Sequence, residues 1–239
     1  PAPGVLAWID GNTNSVSGTS NSLSTFEISE PSSWVTAGPI AVAIDGTTNQ
    51  AYIALNGVVC WLPSGRPLYG SSSVVAFDLA TQGASLVWSP GLVAANAFEP
   101  GAVGVNVPTG KIYAADDSGS IVVIDIATGS ANTLTGLGTE PVATAVNSAT
   151  NKVYVANFHS SNVTVIDGAT NALSTVTDPK AINPTGIAVN ETTNTIYVTN
   201  SGSNNLTVIE GQTDSIVSTV PVGTFPIAVA VDPTTNFIY

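Results

Sequence analysis

The sequence has few of the residue types on which common catalytic and metal-binding chemistries depend. Its 239 residues include one cysteine, one histidine, four basic residues (Lys and Arg together) and no methionine. A lone cysteine excludes an intramolecular disulfide, and Cys60 with His159 does not make a zinc ligand set. No G-x-S-x-G turn precedes a helical pattern, so a Ser-His-Asp triad has no support. These absences favour a protein that is not an enzyme and do not decide the question.

Positive charge and long apolar runs are also scarce. Sixteen acidic residues against four basic ones give a net charge of −12, and only 8% of residues are charged. Nucleic-acid binding needs clustered Lys and Arg to displace counterions, so we expect no nucleic-acid partner. No apolar run approaches the roughly 20 residues that a membrane-spanning helix requires. We therefore expect no transmembrane segment.

A repeat of about 42 residues organises the chain. Each copy opens at a proline, and a tyrosine follows 13 positions later. The prolines are Pro39, Pro100, Pro141, Pro184 and Pro226, and the tyrosines are Tyr52, Tyr113, Tyr154, Tyr197 and Tyr239. A second half-motif, an acid with Thr three positions later, recurs at Asp10, Asp78, Asp125, Asp167 and Glu210. Each half-motif thus occurs five times.

Each copy contains four short strand patterns and no competing helical pattern. One copy reads TGIAV, TIYVT, LTVIE and SIVSTV, separated by clusters of Asn, Gly, Thr and Ser. The first three strands are apolar at nearly every position, which predicts that both faces are covered. The fourth alternates with Ser and Thr and is expected at an outer edge. The predicted fold is all-β, a β-propeller of four-stranded antiparallel blades.

The chain resembles the YVTN β-propeller repeat family in its strand and turn motifs. The matching stretches are YVTN at 197–200, YVAN at 154–157 and VIDGATN at 165–171. Two copies depart from the family pattern, with AYIAL at 51–55 followed by an insertion and YAAD at 113–116. The resemblance implies an extracellular or cell-surface protein, often with seven blades.

The order of the half-motifs predicts how the propeller is completed. The chain begins with strands three and four of a blade and ends with strands one and two. We expect a single domain over 1–239, with repeat units starting near 39, 100, 141, 184 and 226. Joining 4–18 to 226–239 would complete a fifth blade, and such closure protects sheet edges. The alternative is a fragment of a seven-bladed propeller.

The residue before each marker proline is a candidate for the mouth of the channel. These residues are Gly38, Glu99, Glu140, Asn183 and Phe225. Two carboxylates and an amide oxygen, from Glu99, Glu140 and Asn183, are hard ligands that suit Ca²⁺. The alternative interpretation is a pair of solvated acids beside a pore.

Two longer connections carry candidate binding residues. The insertion at 55–73 holds Trp61, Arg66 and Tyr69, which are residue types that anchor interfaces. A second long connection, 18–38, holds Trp34. We expect the insertion to project from the same face as His159 and the glutamates. The expected partners are a protein, a cell-envelope glycan or another copy of the chain.

Two functions remain open from the sequence. The first is a non-enzymatic extracellular binding or structural module, such as a surface-layer or filament subunit, that uses loops on one propeller face. The alternative is a metal-assisted lyase or hydrolase at the channel mouth, with the metal held by Glu99 and Glu140 and His159 as acid or base. The fold alone does not distinguish a binding or structural module from an enzyme.

Overall fold

The protein is built from β-strands, as a computed structural model shows. The structure describes residues 6–10, 15–20, 36–61, 67–70, 73–78, 84–88 and 100–239. Within these ranges all regular structure is strand, and no helix long and apolar enough to cross a membrane occurs. The chain divides into two compact units, residues 1–100 and 101–239.

The first unit contains a two-stranded and a five-stranded antiparallel sheet. The strands are β1 (Leu6–Asp10), β2 (Ser15–Ser20), β3 (Thr36–Asp45), β4 (Gln50–Trp61), β5 (Pro67–Gly70), β6 (Ser73–Asp78) and β7 (Ala84–Trp88). In the larger sheet, which we call sheet I, the strand order is β3-β4-β6-β7, with β5 paired to the far end of β4.

The insertion at 55–73 includes a β-hairpin that the sequence did not predict. Strand β4 runs on through Trp61, and β5 pairs with this extension, so that Val59 lies opposite Tyr69 and Trp61 opposite Pro67. The physical reason is that the extension VVCW is apolar and contains two β-branched valines and an aromatic residue, which favour strand over loop.

The second unit contains three four-stranded antiparallel sheets and a two-stranded one. Each four-stranded sheet pairs its strands in chain order. Sheet II has β8 (Pro100–Asn106), β9 (Lys111–Asp116), β10 (Ser120–Asp125) and β11 (Ala131–Thr135). Sheet III has β12 (Pro141–Asn147), β13 (Lys152–Asn157), β14 (Asn162–Asp167) and β15 (Leu173–Val176). Sheet IV has β16 (Pro184–Asn190), β17 (Thr195–Asn200), β18 (Asn205–Glu210) and β19 (Ser215–Pro221). Sheet V has β20 (Val231–Asp232) and β21 (Phe237–Ile238).

Strand β13 shows why the middle strands are apolar at nearly every position. Val153 and Val155 pack into a cluster shared with sheet II, whereas Tyr154 and Ala156 pack into a cluster shared with sheet IV. Successive side chains point to opposite faces of a strand, so a sheet between two others needs apolar residues at both parities. The predicted four-strand copies with covered middle strands are confirmed. The outer strand β19 is mostly exposed, as predicted.

Small residues in the first strands allow neighbouring sheets to approach closely. A Cβ added to Gly104 of β8 would lie 2.9 Å from Val146 Cγ2 of β12. A Cβ on Gly186 of β16 would lie 2.9 Å from the Ala228 Cα. Contacts below 3.0 Å require a shift of one partner, so these positions select glycine by space rather than by backbone conformation.

A row of asparagine pairs links successive sheets of the second unit. Each pair joins the last residue of a first strand to a left-handed turn residue in the next sheet. The Nδ2 to Oδ1 distances are 2.8 Å for Asn106 to Asn151, 2.8 Å for Asn147 to Asn194 and 2.7 Å for Asn190 to Asn236. The acceptors have φ between 51° and 59°, which asparagine tolerates better than most residues. The blade number and the shared closing blade stay predictions.

Candidate binding rim

The residue before each marker proline lies in a left-handed backbone conformation in the second unit. The φ angles are 56° at Glu140, 55° at Asn183 and 54° at Phe225. Asparagine adopts this conformation readily, whereas glutamate and above all phenylalanine do so at a cost. The same backbone geometry thus presents three chemically different side chains.

The turn between the second and third strands lies against this position in sheets III and IV. Phe158 N donates to Glu140 O at 2.8 Å, and Ser201 N donates to Asn183 O at 2.9 Å. The two kinds of loop therefore share one end of sheets III and IV. We call this end of sheets II to V the rim, and it comprises residues 117–119, 136–140, 158–161, 177–183, 201–204 and 222–226.

His159 and Glu140 contact each other on the rim. The imidazole Nδ1 of His159 lies against the Glu140 carboxylate, with side-chain exposures of 64% and 35%. The Phe158 ring meets the His159 ring edge to face at a centroid distance of 5.2 Å. The contact places a carboxylate and an imidazole side by side on the rim, but these two groups alone do not form a catalytic set.

Asn183 connects the rim segments of sheets III and IV. Its N–H donates to Ser161 Oγ at 3.2 Å, and its carbonyl accepts from Ser201 Oγ at 3.0 Å. The backbone of Asn183 is therefore fixed from both sides. Such fixing suits a surface that must present side chains in a constant arrangement.

Three exposed apolar side chains flank the turn 201–204. Ile182, Val222 and Phe225 are 51%, 40% and 67% exposed. All three are hydrogen-bonded through their backbone N–H groups to this one turn: Ile182 to Ser203 Oγ at 3.0 Å, and Val222 and Phe225 to Asn204 at 3.0 and 2.8 Å. These hydrogen bonds therefore hold the three apolar residues on both sides of the turn 201–204.

The remaining predicted site residues lie partly or wholly outside the described residues. Trp34, Arg66 and Glu99 are outside them, and only the backbone of Trp61 and Tyr69 is described, on the β4–β5 hairpin. Among the described residues, no group of three or more His, Cys, Asp or Glu side chains is arranged to hold a metal. The Ca²⁺ site of Glu99, Glu140 and Asn183 stays a prediction.

Asp178 is a buried carboxylate of the rim that sequence reasoning missed. It is 6% exposed and accepts from Thr207 Oγ1 at 2.8 Å, Thr219 Oγ1 at 2.7 Å and Lys180 N at 2.9 Å. Burial raises its pKa, but these hydrogen bonds outweigh burial and hold the pKa below its ordinary value of 3.8. The only signal in the sequence is the Asp-Pro dipeptide, because the two threonines are 29 and 41 residues away.

Comparison with solved structures identifies the fold. The β-propeller domain of Myceliophteria thermophila Cps50 (Swd1) aligns with a TM-score of 0.62 at 9% identity, over 85% of this chain and 62% of that one. The fold is a β-propeller. Kuenenia stuttgartiensis hydrazine synthase aligns with a TM-score of 0.65 at 19% identity, over 84% of this chain and 54% of that one. The structure of U3-55K aligns with a TM-score of 0.50 at 17% identity, over 57% and 43%.

These likenesses establish the propeller fold and nothing finer. The chain spans between 43% and 62% of the length of the three solved chains. No family model matches the sequence, and no curated protein matches it. The resemblance to the YVTN repeats therefore stays a prediction.

Proposed function

We propose that this chain is a non-enzymatic binding or structural module of an extracellular or cell-surface protein of the YVTN type. It contacts its partner through the rim. The partner is a protein, a cell-envelope glycan or another copy of the chain, as in a surface layer or filament. Propellers host many functions, so the proposal depends on the rim residues rather than on the fold.

One observation carries the proposal, namely the exposed apolar side chains of Ile182, Val222 and Phe225 around a single turn. Apolar side chains gathered on an otherwise polar loop surface mark interaction sites. The middle strands beneath them are buried, so the loops stand on a packed scaffold, which is the usual arrangement of binding loops.

An extracellular location is supported by the low fraction of charged residues and by the repeat motifs. Protease treatment of intact cells of the source organism tests it. Cleavage of this chain under conditions that spare cytoplasmic proteins is the expected result. Complete protection until the cells are broken would contradict the location.

The binding role is tested with serine substitutions on and off the rim. Ile182→Ser and Phe225→Ser should each reduce retention on isolated cell envelopes or on a glycan array. If the partner is another copy of the chain, each should instead reduce self-association measured by sedimentation. Val217→Ser is the matched control, because Val217 is 61% exposed but lies on the outer strand β19. Equal retention of all three variants, or no retention and no self-association of the wild type, would refute the proposal.

A further inference from the structure

The backbone conformation before the marker proline shows which rim side chains the fold itself does not require. In a left-handed conformation glycine and asparagine are favoured, and Asn183 fits this preference with φ of 55°. Glu140 and Phe225 occupy the equivalent positions at the same φ without the local hydrogen-bonding ability of asparagine. The fold would be better served by Asn or Gly at both positions.

Packing does not account for the phenylalanine. Phe225 is 67% exposed, so its ring gains little from burial, and Ile182 and Val222, which are hydrogen-bonded to the same turn, are also exposed. A bulky apolar residue that is both strained in its backbone and exposed in its side chain is the kind of residue that anchors a bound partner.

The rim is also acidic. The carboxylates of its described residues that reach solvent are Asp117 and Glu140, against one exposed lysine, Lys180, together with His159, whereas Asp178 is buried. The whole chain carries a net charge of −12. A partner of positive charge is attracted to such a surface, and one of negative charge is repelled.

Contacts between neighbouring rim loops connect Glu140 to the loop that carries Ile182. Its partner His159 belongs to the turn that ends at Ser161, and Ser161 Oγ accepts from Asn183 N, the residue after Ile182. The carboxylate and the apolar side chains are thus held by consecutive loops of sheets III, IV and V.

We infer that the rim binds a segment of a partner protein in which a lysine or arginine stands next to a bulky apolar residue. Phe225, Ile182 and Val222 contact the apolar side chain, and Glu140 pairs with the cation. This inference rests on the proposed function and names the chemistry of the partner.

Three synthetic nonapeptides with a fluorescent label test this chemistry. The first alternates Lys with Phe and Leu, the second replaces Lys by Glu, and the third replaces the apolar residues by Ser. Fluorescence anisotropy should show binding of the first peptide, weakened by added salt, and at least about tenfold weaker binding of the other two.

Asparagine substitutions separate binding from folding. Phe225→Asn and Glu140→Asn place a favoured residue at a left-handed position, so the melting temperature should not fall. Each substitution should weaken binding of the first peptide at least about tenfold, because loss of an anchor side chain or of a charge partner reduces affinity by that much at interfaces. Val217→Ser should bind as the wild type does.

The possible results distinguish this inference from the proposed function. Equal binding of the acidic peptide, or unchanged affinity of Phe225→Asn, would overturn the inference. If no peptide binds while envelopes are still retained through Ile182 and Phe225, the inference fails and the proposed function stands. Loss of both kinds of binding would refute both.

Discussion

At the scale of single residues, the buried carboxylate of Asp178 contributes to stability. It accepts three hydrogen bonds: those from Thr207 and Thr219 join the loop 177–183 to β18 and β19, and the one from Lys180 N lies within the loop. Asp178→Ala leaves the Thr207 and Thr219 hydroxyl groups and the Lys180 N–H without this acceptor. Unsatisfied buried partners cost about 1–3 kcal/mol, so the free energy of unfolding should fall by that amount. Urea denaturation measures it, and a change within error of zero would contradict the network.

The lysines that join neighbouring sheets allow a graded comparison. Lys152 Nζ donates to Gly211 O and Asp214 Oδ2, each at 2.8 Å, whereas Lys111 Nζ donates to Gly168 O at 2.8 Å. Lys152→Met should therefore lower the free energy of unfolding more than Lys111→Met does. The difference should be about 1 kcal/mol or less, because the Lys152–Asp214 ion pair is partly exposed. Thermal unfolding at low and high salt should show the difference shrink with salt. A larger effect of Lys111→Met would contradict it.

At the scale of elements, the turns between first and second strands depend on a left-handed residue. Asn194 has φ of 51° and accepts the hydrogen bond from Asn147, while the equivalent residue in sheet II is Gly110 with φ of 62°. Asn194→Gly loses the acceptor and keeps the conformation. Asn194→Ala loses both and should be less stable than Asn194→Gly by about 1 kcal/mol. Equal stability of the two variants in chemical denaturation would count against the backbone argument.

The sequence predicted these elements well because each strand and turn depends on nearby residues. The pattern TIYVT and its partners gave strands close to β16 to β19, and the repeated Asn marked the left-handed turns. The hairpin within 55–73 was missed because its prolines and glycines suggested a loop. Asp178 was missed because its partners come from two later strands, and a single sequence does not show which distant residues meet.

The same limit applies to the rim. Comparison of the internal repeats placed Glu140, Asn183 and Phe225 at one repeat position. It did not show their shared φ or the contact between Glu140 and His159. The pattern predicted metal ligands because it contains carboxylates, and Phe225 has no such chemistry. Exposure of Ile182 and Phe225 depends on packing between sheets, which the repeat pattern does not report.

At the scale of the whole molecule, the acid-and-threonine turns predict loss of stability in acid. Hydrogen bonds from threonines lower the pKa values of Asp125, Asp167, Glu210 and Asp232 below their ordinary values of 3.8 for Asp and 4.5 for Glu. A carboxylate with a lowered pKa in the folded state stabilises the protein above its ordinary pKa. That stability is lost as the pH falls through the folded-state value.

The melting temperature should therefore begin to fall near pH 4.5 and fall further below pH 3.8. Calorimetry over a pH series measures this decline. Thr213→Val removes the hydroxyl that donates to Glu210 Oε2 at 2.6 Å. The melting temperature of this variant should therefore fall less steeply with decreasing pH than that of the wild type. A melting temperature that rises between pH 5 and 3 would contradict the assignment of these turns.

Hydrogen exchange with mass spectrometry tests most directly whether the packed sheets hold a rim that binds a partner. The protein is compared free and bound to isolated cell envelopes. We predict new protection of 177–183, 201–204 and 222–226, with β13, β14, β17 and β18 slow to exchange in both states. Protection appearing instead at the opposite turns, 148–151, 191–194 and 211–214, would contradict the account.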